Sequence, residues 1–198
     1  LFGTNKGLHT IQLVNGLPFA ESEQVFSLGS IEVISTLQTQ SDDLNILIAS
    51  DSDAWTIRLF EDFENSVEDV KINHLSKISN LVDDENASIT TSVHIDMQGR
   101  IPILLLGTDS GLVAWNTTDG TDSIGDPYWI FNRSNAEYFI NENIYDFTST
   151  PRVNILQKED VDGTTPGLWL GMSGGLYLVE LDLIVSQPTE AFNSDRML

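Results

Sequence analysis

The chain has 198 residues, 40% of them hydrophobic, no cysteine, and 30 acidic against 9 basic side chains for a formal charge of −21. That length and apolar content fit one domain spanning the whole chain, and the charge repels phosphate backbones and anionic lipid, which excludes nucleic-acid and membrane-surface roles. The missing cysteine excludes a disulfide framework, a thiolate metal site and a cysteine nucleophile, and no apolar run approaches the ~20 residues that would insert as a membrane helix.

Along the chain the dominant feature is a repeat. Residues 96–112, DMQGRIPILLLGTDSGL, align without a gap on residues 160–176, DVDGTTPGLWLGMSGGL, in the frame D-x-x-G-x-x-P-x-x-x-L-G-x-x-x-G-L. Shorter copies stand at 1–8 (LFGTNKGL) and 48–55 (IASDSDAW), so the position after the apolar run recurs at Gly3, Ser50, Gly107 and Gly171. Repeats of this period built from short strands and turns predict propeller blades. Because the chain opens at Leu1 inside a copy, without a methionine or leader, it is expected to be a segment or mature piece of something longer.

The first copy, near 1–15, supplies a hairpin with its turn at Lys6-Gly7. The second, near 31–60, predicts strands over 31–37, 45–49 and 55–60; Ser50 and Ala54 there replace the two repeat glycines. An acidic stretch follows at 63–86, with short helical segments expected within 62–70 and 75–82. In the third copy, near 92–132, strands are predicted over 92–97, 103–106, 112–116 and 128–132, with turns at 96–99 and 108–111. The fourth, near 153–185, repeats the order over 153–157, 168–170 and 176–181, with a last strand at 183–185. The third copy therefore reads as a four-stranded antiparallel unit, the fourth and second follow the same order and the first lacks its preceding strand, so the fold class reads as an all-β propeller of about four blades, either a small closed ring or part of a larger one.

Glycine has a backbone role here. Gly7, Gly111 and Gly175 fall where a hairpin loop wants a positive φ, and Gly3, Gly107 and Gly171 stand where a missing side chain lets neighbouring blades approach.

The repeats at 96–116 and 160–180 resemble the FG-GAP or VCBS type of propeller repeat found in integrin-like heads and secreted microbial proteins. That resemblance implies a calcium loop of the form D-x-D-x-D-G-x-x-D before the apolar strand. Asp160 and Asp162 match its first two ligand positions, Thr164 stands at the third and the closing Asp is missing; in the third copy only Asp96 remains. Two carboxylates with carbonyls would make a weak calcium site at Asp160 and Asp162, and a plain Asx-turn is the competing reading. No other cofactor is implied: there is no P-loop or dinucleotide fingerprint.

Catalytic candidates are thin. His9, His74 and His94 are widely separated, the first and last within alternating strands where a structural histidine is the default. The adjacent acids at 42–43, 83–85 and 159–160 read as solvated turns. Trp55, Trp115, Trp129 and Trp169 all fall within or beside predicted strands, where core or inter-blade packing is the default, and Trp129 with Tyr128 is the best candidate for an aromatic platform for a sugar or partner. Sequons at Asn86, Asn116 and Asn132 mark sites for glycosylation and an extracellular or cell-surface location. These features predict a non-enzymatic binding or scaffolding module of a secreted or cell-surface protein, engaging a protein or glycan through loops on one face. The alternatives are a propeller hydrolase or lyase with channel carboxylates, and the sensor ectodomain of a membrane-bound regulator.

Overall fold

The computed structural model describes residues 2–11, 13–15, 17–18, 23–27, 30–37, 44–50, 53–59, 70–75, 78–82, 84–97, 99–119, 124–132, 153–161, 165–172, 175–181 and 184. Among them the chain is all-β, with a helix of four residues at Ile78–Leu81 and helical backbone again at Leu181 and Ile184. The first sheet holds β1 (Phe2–Thr4), β2 (Gly7–Thr10) and β5 (Glu23–Phe26), beside a two-stranded ribbon of β3 (Leu13–Val14) and β4 (Leu17–Pro18). The second, in the order of its strands, is β6 (Val33–Leu37), β7 (Leu44–Ser50), β8 (Asp53–Leu59) and β9 (Val70–His74). Helix α1 (Ile78–Leu81) leads to the third sheet: β10 (Ile89–Ile95), β11 (Ile103–Thr108), β12 (Gly111–Asn116) and β13 (Trp129–Asn132). The fourth holds β14 (Val153–Val161), β15 (Thr165–Met172) and β16 (Gly175–Glu180). All four are antiparallel meanders.

The sequence repeat is a repeat of register. Thr91 pairs with Gly107 in the third sheet as Ile155 pairs with Gly171 in the fourth, and a register shift follows the first pair of each ladder, Ile89 with Thr108 and Val153 with Met172. The hairpins close at Thr4 with Gly7, Ser50 with Asp53, Thr108 with Gly111, and Met172 with Gly175. The second copy is thereby corrected by one residue. Ser50 occupies the place of Thr108, so Ala49 and Asp53, rather than Ser50 and Ala54, stand where the other copies have glycine.

The unbroken apolar runs arise because the middle sheets are buried on both faces, so alternate side chains serve opposite neighbours. On β11, Ile103 and Leu105 join Leu168, Leu170 and Val179 of the fourth sheet, whereas Leu104 and Leu106 join Leu47 and Ala49 of the second. Leu112 and Ala114 of β12 follow the first pair, and Val113 and Trp115 the second. On β7, Ile46 and Ile48 turn the other way, toward Leu8 of the first sheet. Each such Leu or Ile contributes about 1.5–3 kcal/mol when fully buried, and the four sheets are joined in chain order by these three cores.

First strands lie closest. β10 lies against β6 on one side and β14 on the other, and at these seams the side chains are small and polar: Ser35 Oγ is 2.5 Å from Ser92 Oγ, and Thr90 Oγ1 donates to the Val153 carbonyl. Further out, α1 fills the space between the second and third sheets. Ile78 and Val82 enter their shared core, and Asn132 Nδ2 of β13 donates to the Leu81 carbonyl at 3.4 Å. The seam also explains the glycines after the apolar run. A Cβ on Gly107 would lie 2.6 Å from Thr91 Cγ2 and 2.8 Å from Val153 Cγ1, and one on Gly3 would lie 2.7 Å from the Ile31 side chain. Ile31 leads into the second sheet and Val153 opens the fourth, so at both glycines the next sheet supplies a close neighbour, joined at Gly107 by Thr91 of its own sheet.

Several sequence expectations differ in detail. α1 falls within the helical expectation at 75–82, but β9 is a strand that the polar sequence around it hid. The expected strand at 183–185 lies mostly outside the described residues, and Leu181 and Ile184 carry helical backbone instead. Gly7 and Gly111 have φ of 124° and 146°. They open the returning strands, however, and the two-residue loops are Asn5-Lys6 and Asp109-Ser110.

Candidate binding face

The hairpin turns recur at the edge where each sheet meets the next, since the Thr4 carbonyl accepts from Ile31 N at 3.0 Å and Gly107 abuts Val153. Two of them are built alike. Thr4 Oγ1 accepts from Lys6 N at 3.1 Å and donates to the Gly7 carbonyl at 3.1 Å; Thr108 Oγ1 accepts from Ser110 N at 3.0 Å and donates to the Gly111 carbonyl at 3.0 Å. A threonine before a two-residue loop thus satisfies the loop from within. Its signal is G-T-x-x-G-L at 3–8 and 107–112, in which the threonine matters to the turn as well as the glycines.

On the third sheet this turn carries a polar network. Ser110, only 3% exposed, donates its hydroxyl to Asp84 Oδ2 at 2.6 Å and lies 3.4 Å from Asp109 Oδ1. Asp84 Oδ1 accepts from Asn86 N at 3.0 Å, and Asp109 Oδ1 from Ser88 N at 2.9 Å. The Ser110 hydroxyl, then the Asn86 amide, hold the Asp84 carboxyl below its usual range, against a small opposing effect of burial. The Asp84 carboxylate is thereby favoured in its charged form, and both acids are held in place by these hydrogen bonds.

The equivalent turn of the second sheet places Asp53 beside β9. Its Oδ1 lies 3.1 Å from His74 Nε2, and both side chains are solvent-accessible, at 33% and 51%. The His74 ring leans on Trp55, centroids 5.4 Å apart at 40°. This pair offers an aromatic edge, an imidazole and a carboxylate to a ligand. His74 bonds Asp53, and buried His94 Nε2 bonds Thr117 Oγ1 at 2.9 Å, so neither is placed to activate the Ser110 hydroxyl.

The residues singled out from sequence are dispersed. Tyr128 is 42% exposed but Trp129 only 9%, packed with Phe131 and Leu168, so the two do not form one exposed platform. Trp115 is fully buried, and Trp55 and Trp169 half-buried, as packing residues are. Asp160 lies in β14 opposite Pro166, and Asp162 lies outside the described residues. Among the described residues no three His, Asp or Glu side chains gather where a metal ion could be held. Asn86 and Asn116 are exposed; Asn132 is buried. No helix among the described residues is long and apolar enough to cross a membrane.

The Asp84–Ser110 network and the Asp53–His74 pair were missed in the sequence because their members come from separate segments; Asp84 and Ser110 are 26 residues apart. No family model matches the chain, and neither a curated protein nor a solved structure matches it.

Proposed function

We propose that the chain is a run of propeller blades, of the FG-GAP or VCBS kind its repeats resemble, serving as a non-enzymatic binding or scaffolding module of a secreted or cell-surface protein. The observation that carries the blade reading is the wedge between sheets: small side chains bring first strands into contact, while α1 separates the second and third sheets further out. Sheets that touch at their first strands and diverge beyond them fan around an axis, whereas the layers of a sandwich keep a spacing of about 10 Å throughout.

The binding surface is the turn face, with Asp53, His74, Asp84, Asp109 and exposed Lys6. Its fixed carboxylates suit cationic or hydroxyl-rich groups, which makes a basic protein surface or a glycan the fitting ligand class. A hydrolase or lyase is less well supported, because Asp84 and Asp109 are held by backbone amides and a serine and Asp53 by His74, so that no two of these acids are shown aimed across a cleft. Weak calcium binding at Asp160 and Asp162 stays part of the proposal, to be read by calorimetry on the parent and on Asp160→Asn. Screening the chain against a glycan array and a peptide-display library tests the binding reading. Hits should weaken at least tenfold in Asp84→Asn/Asp109→Asn, assayed well below the melting temperature that the lost hydrogen bonds lower, and in Asp53→Asn; hits indifferent to Asp53, Asp84 and Asp109 would refute it.

A further inference from the structure

We propose that Asn116 is an acceptor for an N-linked glycan, and that of the three sequons it is the one the fold presents ready for modification. Asn116 ends β12, is exposed, and is followed by exposed Thr118. Its side-chain carbonyl Oδ1 accepts from Thr118 N at 2.8 Å and from Thr118 Oγ1 at 2.6 Å. The threonine hydroxyl that defines the sequon is thus already on the amide of its own asparagine. Both bonds fall on Oδ1, so they draw charge toward the carbonyl oxygen and make an Nδ2 proton easier to remove, while Nδ2 itself takes no part in the turn.

The other two sequons are built differently. Asn132 is 9% exposed, and its Nδ2 donates to the Leu81 carbonyl at 3.4 Å, across the gap that α1 fills. A glycan there would have to displace the helix. Asn86 is exposed, but its +2 residue, Ser88, is half-buried at the entrance to β10 and its backbone N is bonded to Asp109 Oδ1 at 2.9 Å.

The step is the transfer of an oligosaccharide from a polyprenyl-diphosphate donor by the secretory transferase. Asn116 Nδ2 attacks C1 of the first sugar, the N–C1 bond forms, and the C1–O bond to diphosphate breaks. The lipid diphosphate leaves with the electron pair and one Nδ2 proton passes to a base of the transferase. β12 runs from the Gly111 turn to Asn116 at about 3.3 Å per residue. The glycan therefore stands at the far end of the strand and leaves the carboxylates of the turn face uncovered.

The inference rests on the secreted-protein reading, and expression behind a secretory leader in a glycosylating host separates the two. The secreted chain should carry a glycan at Asn116, released by peptide N-glycosidase and mapped by peptide mass spectrometry. Asn116→Gln and Thr118→Ala should each remove it, Thr118→Ser should retain it, and Asn132→Gln should leave it in place. Folded, secreted chain with Asn116 unmodified would overturn the acceptor assignment while leaving the surface-protein reading standing. A glycan mapped to Asn132 in that material would overturn it as well.

Discussion

Gly111→Ala should be among the most damaging single changes of one methyl group in this chain. Gly111 has φ +146°, which L side chains rarely adopt, and a Cβ there would stand 2.0 Å from the Phe131 carbonyl oxygen. Backbone in such a region costs about 1–3 kcal/mol. The overlap with a carbonyl cannot be relieved by a rotamer change, so the pairing of Gly111 with Asn132 must open, losing one or two hydrogen bonds at a net of about 0.5–1.5 kcal/mol each. Together these give about 1.5–6 kcal/mol, a large share of the roughly 5–15 kcal/mol that holds a domain together. Urea unfolding should show a lower midpoint at unchanged slope. Two other glycines calibrate the result. Gly99, with φ +77° and nothing within 4 Å of a Cβ, should cost about 1–2 kcal/mol on replacement by alanine. Gly125, in open space without a positive φ, should stay within about 0.5 kcal/mol. Equal effects at Gly111 and Gly99 would refute the close approach of β13, and no effect at Gly111 would refute the turn altogether.

Gly107→Ala should cost about 1–3 kcal/mol by overpacking the seam between the third and fourth sheets, and Val153→Ala in the same chain should recover part of it, read as coupling in a double-mutant cycle. Ser110→Ala should let the Asp84 carboxyl titrate closer to its ordinary value, followed by NMR. Because the folded-state value is depressed, Asp84 contributes stability that is present above its unfolded pKa and lost as pH falls through the folded one; Ser110→Ala should therefore lose less stability than the parent on going from neutral to about pH 3. With a formal charge of −21, raising salt from low to about 0.15 M should raise the melting temperature, and a flat response would mean that the charges are locally balanced.

The third and fourth copies show what a sequence makes legible. Their frame aligned without a gap, and the structure returns the same register and the same irregularity in both, because turn glycines and alternating apolar residues fix pairing locally. The second copy was misaligned by one residue since Ala49 and Asp53 stand in for glycine, removing the markers on which the alignment relied. β9 escaped notice because an outer strand with solvent on one side, such as Val70–His74, needs few apolar residues. Trp129 lies in a strand as expected at 128–132, but the sequence does not say which way its ring points; pairing with Ala114 turns it into the core rather than to a surface platform. The polar network of Asp84, Asp109 and Ser110 depends on where α1 returns the chain, which no local pattern encodes.

The central claim is that neighbouring sheets meet at their first strands and diverge outward. The absence of cysteine allows a direct measurement: oxidation of Ser35→Cys/Ser92→Cys, which joins β6 to β10, compared with Asn73→Cys/Ile130→Cys on the outer strands β9 and β13. The hydroxyl oxygens of Ser35 and Ser92 lie 2.5 Å apart, so the inner pair should form a disulfide spontaneously, seen by mass spectrometry and loss of titratable thiol, while the outer pair stays reduced. Free thiols in the inner pair, or equal cross-linking in both, would contradict the fan and leave a stack of parallel layers in its place.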